Sequence, residues 1–169
     1  VHKSDPDLQA AHAACPWWVT WDDHEVQNDY AGLTPGDSGP PVADFATRRA
    51  AAYQAFYEHM PLRGSVLQRA WQGLATGAET RIYGSARFGQ LATLHLLDTR
   101  QYRDAQVCTR DGKPGSSTLD PTQCPLWDDP RRSLLGWAQE GWLHQNLGRA
   151  DTAWNLLGQQ TLLGPRDFR

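Results

Sequence analysis

Strand-like and helix-like stretches alternate along this sequence, which predicts an α/β chain, and three observations carry the prediction. Residues 17–21, Trp-Trp-Val-Thr-Trp, are a run of aromatic and β-branched side chains, the composition of a buried strand. From Asp44 the apolar residues change period, and Phe45, Tyr53, Phe56, Tyr57 and Met60 largely share one face at helical spacing until Pro61. A long apolar run then climbs to Leu97-Asp98 and reads as a further strand. With 169 residues and 40% apolar content, the chain fits one domain that can bury a core.

The elements follow in order. Asp5 can cap a first helix, with Pro6 suited to its first position and Asp7 to its positive end, and Pro16 stops it. The strand over 17–21 delivers Asp22-Asp23-His24-Glu25 just past its carboxyl end, where open α/β sheets place their chemistry. Residues 33–41, rich in Pro, Gly, Asp and Ser, read as a loop. The helix that follows puts Arg48 and Arg49 on a solvated face. Arg81-Ile82-Tyr83 and the run from Arg87 to Asp98 read as two strands joined by a tight turn at Gly84-Ser85. His95, Asp98, Arg100 and Arg103 are read as a strand end with ordinary ion pairs, in preference to an anion site. An irregular polar stretch reaches about Pro130. A helix over 133–147 then turns Leu135, Ala138, Trp142 and Leu143 inward, weakened locally by Gly136 and Gly141, and residues 153–157 form a last strand. Core packing accounts for most of the eight tryptophans.

Composition excludes some functions. The net charge of -3 and the lack of a Lys/Arg block argue against a nucleic-acid-binding surface. No stretch has the apolar length of a membrane span. Cys108 and Cys124 flank a Gly/Pro/Ser-rich stretch whose loop a disulfide would close; two buried free thiols are the alternative, and Cys15 is read as a core thiol.

The chemistry concentrates in Asp22-Asp23-His24-Glu25, three carboxylates and an imidazole in four residues. Such self-repulsion is costly unless cations absorb it. A phosphoesterase site needs carboxylates to hold hard cations and an imidazole beside the phosphate. An acidic helix cap followed by a surface histidine has the same appearance, and the preceding strand favours the site reading.

A wider set of residues carries a family resemblance: residues 5–12, Pro16, residues 20–26, Asn28 and residues 30–32, then 81–83, 87–89, 97–103, Leu135-Gly136, Gln139-Glu140, Trp142-Leu143, Trp154-Asn155 and Gln159-Gln160. In this order they resemble the central segment of PhoD-type alkaline phosphatases and phosphodiesterases, within the metallophosphoesterases. The resemblance implies a two-sheet sandwich flanked by helices, of which residues 1–169 are the central segment of a single catalytic domain, with the flanking parts absent and the fold incomplete alone. It implies hydrolysis of a phosphoester substrate by metal-activated water attacking phosphorus, with iron and calcium as cofactors and an incomplete ligand set in this chain. By the same resemblance Asp23 binds metal and His24 is the catalytic group at the phosphate. Asp22 stands beside Asp23 as a metal-side carboxylate, or joins Glu25 and Asn28 in orienting the ligands. The remaining segments of the enzyme or a companion chain are the implied partners. The location implied is extracytoplasmic, periplasmic or secreted, with Cys108 and Cys124 disulfide-bonded. The alternatives are a non-catalytic structural fragment and a phospholipase D-like diesterase.

Overall fold

The computed structural model describes residues 2–37, 42–67, 80–110, 113, 115, 119–162 and 164. Among them are helices α1 (Pro6–Ala14), α2 (Phe45–His59) and α3 (Trp137–Gly148), and strands β1 (Gly84–Phe88), β2 (Ala92–Leu96) and β3 (Trp154–Gly158). This is a mixed α/β arrangement. The strands form one sheet in the order β1-β2-β3, with β1 antiparallel and β3 parallel to β2. A parallel neighbour needs a crossover, and α3 lies in it.

The helix ends obey local rules. Asp5 caps α1 by accepting from the Leu8 N–H at 2.8 Å, and Asp44 caps α2 by accepting from the Thr47 N–H at 3.0 Å. The face of α2 that carries Phe45 and Tyr53 turns to the core, where these two gather with Trp21, Val26, Tyr30 and Ile82. The Trp21 and Tyr53 rings stack with centroids 4.1 Å apart, and Tyr30 and Tyr53 join their hydroxyls at 2.9 Å.

Several sequence expectations are corrected. Residues 17–21 form no strand; side chains anchor them instead, with the Gln160 amide donating to Thr20 Oγ1 at 2.7 Å and to the Leu97 carbonyl at 3.1 Å. The hairpin turn falls at Gly89, whose φ of +56° suits glycine, while Gly84 and Ser85 belong to β1. Arg49 is buried and donates to the Gly32 carbonyl at 3.0 Å. The third helix starts at Trp137, because Gly136 holds a φ of +75° and a Cβ there would sit 2.7 Å from that of Tyr102. Its buried residue is Gln139, whereas Ala138 is exposed.

Most of the tryptophans do not pack inside: Trp17, Trp18, Trp127, Trp137 and Trp154 are exposed, and Trp21 alone of those described is fully buried. Trp71 lies outside the described residues. Phe88, Leu91, Trp154, Leu156 and Leu157 leave apolar surface on the sheet and its hairpin. Cys108 and Cys124 are joined by a disulfide, Cα–Cα 5.8 Å, and Cys15 is an exposed free thiol rather than a core one. No helix of the described residues is long and apolar enough to cross a membrane.

Candidate active site at the acidic turn

The chain reverses over residues 23–27, where the Asp23 carbonyl accepts the N–H groups of Val26 and Gln27 at 2.9 and 2.8 Å. Trp21 packs in the core on one side and Val26 on the other, and between them His24 and Glu25 reach the surface while Asp23 stays buried. Glu25 reaches back to accept the Asp22 N–H at 2.8 Å, which pins the start of the turn. Its end is pinned by Asp29, held at a φ of +56° so that its N–H donates to Asp23 Oδ2 at 2.7 Å. A left-handed aspartate carries backbone strain of order 1 kcal/mol.

Burial of Asp23 by itself raises its carboxyl, but the Asp29 N–H and the Arg100 guanidinium outweigh it and hold the group below its ordinary value. Asp23 is therefore a buried, ionised carboxylate. Beside it His24 is open to solvent, its side chain 78% exposed, with Nε2 4.0 Å from Asp23 Oδ1. Asn28 donates to Asp37 Oδ1 at 2.7 Å and to Asp29 Oδ2 at 3.2 Å. Behind it, Gly36 passes so close that a Cβ would lie 1.6 Å from the Asn28 carbonyl oxygen.

Arg100 closes the turn from below. Its Nε donates to Asp22 Oδ1 at 2.8 Å, and its other nitrogens stand 3.6 Å from Asp23 Oδ2 and 3.6 Å from Asp29 Oδ1. One buried guanidinium thus meets three carboxylates from a segment some seventy positions earlier, which its planar fork suits and a lysine would not.

The position of Arg100 is set by Asp98 at the end of β2. Asp98 Oδ1 accepts the N–H groups of Arg100 and Gln101 at 3.0 and 2.9 Å, and Oδ2 accepts Gln101 Nε2 at 3.1 Å. Full burial raises its carboxyl above the ordinary range, against these donors. Gln139 then clamps the Asp98 backbone from α3, accepting its N–H and donating to its carbonyl, both at 2.8 Å.

The structure therefore brings Asp22, Asp23, Glu25 and Asn28 together with His24, and adds Arg100, Asp29 and Asp98. The reading of His95, Asp98, Arg100 and Arg103 as a strand end with ordinary ion pairs is corrected in one respect: His95, Asp98 and Arg100 are buried, and the pairs of Arg100 are made inside, with Asp22, Asp23 and Asp29. A signal was present, since Asp-Thr-Arg-Gln directly after an apolar run is costly to bury without specific partners.

The described residues do not by themselves fit a resident cation. No group of three His, Cys, Asp or Glu among them is arranged to hold a metal ion, and the positive charge that Asp22, Asp23 and Asp29 share is that of Arg100. Asp23 is one anionic oxygen donor, short of a coordination shell.

Similarity to known proteins gives the class. Residues 1–168 match the PhoD-like phosphatase family, and the chain belongs to it. It is 47% identical over 167 residues to alkaline phosphatase D of Bacillus subtilis (strain 168), a match covering 99% of this chain and 26% of that protein. A solved structure described as that of PhoD matches with a TM-score of 0.75 at 47% identity, over 97% of this chain and 28% of the solved one. The chain spans about a quarter of the length of these relatives.

Proposed function

We propose that the protein carrying this chain hydrolyses phosphoesters and that the acidic turn is part of its active site. The observation that carries the reading is Asp23, kept ionised although buried, next to the solvent-facing imidazole of His24, in a member of a phosphatase family. His24 is the group placed to protonate a leaving oxygen or to steady charge on the phosphoryl group. Asp22, Glu25 and Asn28 hold the turn that presents it. Iron with calcium, the pair the resemblance implies, requires oxygen donors beyond those the described residues assemble, with Asp23 as this chain's contribution.

The same reading makes residues 1–169 the central segment of one catalytic domain whose sandwich is completed by further protein. The share of the relatives' length and the apolar surface left on β3 support this. An extracytoplasmic location is supported by the Cys108–Cys124 disulfide, a bond that persists in oxidising compartments.

The test uses the intact protein. Asp23→Asn is expected to lower both metal content and turnover of p-nitrophenyl phosphate. His24→Ala is expected to keep the metal and slow turnover by roughly 10²–10⁴-fold. The second substrate, bis-p-nitrophenyl phosphate, separates monoesterase from diesterase. Full metal and full activity in both variants would make the turn structural.

A further inference from the structure

Among the described residues two that are not glycine hold a left-handed backbone, Asp29 at a φ of +56° and Cys108 at +50°. L side chains rarely sit there, and such residues persist where their surroundings over-determine them. The two are joined through one side chain. Gln106, just ahead of Cys108, donates from Nε2 to the Asp29 carbonyl at 2.8 Å, while the Asp29 N–H donates to Asp23 Oδ2 at 2.7 Å. Asp29 is thus gripped at both its N–H and its carbonyl, one by the acidic turn and the other by the approach to the disulfide.

Gln106 in turn lies between two anchors. Upstream, the Asp104 N–H donates to the Ser133 carbonyl at 2.9 Å, and the Ala105 carbonyl accepts from Arg132. Downstream the anchor is covalent: Cys108 is bonded to Cys124, which is buried, across a separation of 16 residues. A second contact comes from Gly115, between the two cysteines in sequence and at a φ of +101°. It passes so near Asp37 that a Cβ on it would lie 2.4 Å from that of Asp37, and Asp37 is the acceptor for Asn28 at the end of the turn. Cys108 itself is exposed, so a thiolate can reach the bond from its side.

We propose that the Cys108–Cys124 disulfide is a redox latch on the acidic turn. Closed, it holds Cys108 in its left-handed conformation, and with it Gln106 on the Asp29 carbonyl and the Asp29 N–H on Asp23. Opening takes two electrons and two protons from a dithiol reductant: the Sγ–Sγ bond breaks, Cys108 and Cys124 become thiols, and the dithiol closes its own disulfide. Cys108 then relaxes to an ordinary φ, Gln106 leaves Asp29, and the N–H that fixes Asp23 is loosened. Exchange with an oxidising disulfide reverses the step, so the turn is set in an oxidising compartment. The core around Trp21 and the anchors at Asp104 and Ala105 do not use the bond, so the latch acts on the turn and not on the whole fold. Its effect on hydrolysis rests on the phosphoester reading of the turn; its effect on Asp29 does not.

The test uses the intact protein, oxidised and after dithiothreitol, beside Gln106→Ala and the double variant Cys108→Ser/Cys124→Ser. It reads amide hydrogen exchange at Asp29 and turnover of p-nitrophenyl phosphate. Reduction, the double variant and Gln106→Ala should each speed Asp29 exchange and slow turnover by roughly three- to tenfold, the effect of one lost hydrogen bond, with far-UV circular dichroism unchanged. Reoxidation should restore the native values. Reducing Gln106→Ala should add little to its Asp29 exchange, because the latch acts through that side chain; a disulfide that only stabilises the fold would add its full effect there. Should the reduced protein unfold, oxidised Gln106→Ala decides. Unchanged Asp29 exchange in folded reduced protein or in Gln106→Ala would overturn the latch, as would a full effect of reduction on Asp29 in Gln106→Ala. Faster Asp29 exchange in a native protein without phosphoesterase activity would leave the latch standing and overturn the reading of the turn.

Discussion

The acidic turn and the β-sheet are built on opposite principles. In the sheet, regular backbone pairing aligns β1, β2 and β3, yet the outer strand β3 leaves Trp154, Leu156 and Leu157 exposed. At the turn there is almost no regular structure, and burial is nearly complete at Trp21, Asp23, Tyr30, Asp98 and Gln101. Side chains replace the ladder there: Asp23, Glu25, Asp98, Arg100, Gln101 and Gln139 each bind backbone or opposite charge at fixed geometry. The turn is thus set by single polar residues, with Arg100 and Gln139 making long-range bonds. The sheet spreads its stability over many equivalent bonds.

This contrast can be broken at its strongest point first. Asp98→Ala would strand the N–H groups of Arg100 and Gln101 and the Gln101 amide in a buried site. The expected loss is about 3–5 kcal/mol in denaturant unfolding, together with loss of hydrolysis. Arg100→Lys comes next: one ammonium cannot serve three carboxylates, and about 1–3 kcal/mol of stability should go, with turnover falling alongside. Gln139→Ala removes both bonds to the Asp98 backbone and should cost about 1–3 kcal/mol.

Acidity tests the turn by a different route. Because the folded state holds the Asp23 carboxyl below its ordinary value, ionised Asp23 stabilises the fold fully above the unfolded pKa of about 3.9, and the contribution is lost as pH falls through the folded value. The stability gap between the native protein and Asp23→Asn should therefore be full near neutrality and close in acid, as read by melting temperature against pH. A gap that does not vary with pH would mean that the Asp23 charge has no special partner.

The smallest effect is expected on the sheet. Arg87 grips Asp151 through two bonds, at 2.5 and 3.2 Å, but both side chains are at least half exposed. Asp151→Asn should change stability by under about 1 kcal/mol, since water competes for an exposed pair. A cost matching that of Arg100→Lys would erase the distinction between the two regions.

Local chemistry made part of this molecule legible in the sequence alone. The cap and proline of α1, the helical period of α2, a strand ending near Leu97, a last strand near Trp154 and the grouping of Asp22 to Glu25 are all written in residues close to one another, whereas the hairpin turn, expected at Gly84-Ser85, falls at Gly89. Capping and periodicity act over a few positions, so spacing reveals them. Tertiary structure alone decided that residues 17–21 are no strand, that Arg49 goes inside, that most tryptophans stay out, and that Arg100 serves the acidic turn. Those outcomes depend on partners far away in the chain: Thr20 on Gln160, Arg49 on Gly32, Asp22 on Arg100. An arginine is solvated or buried according to whether a distant carbonyl or carboxylate meets it, and residue type and spacing do not encode that meeting.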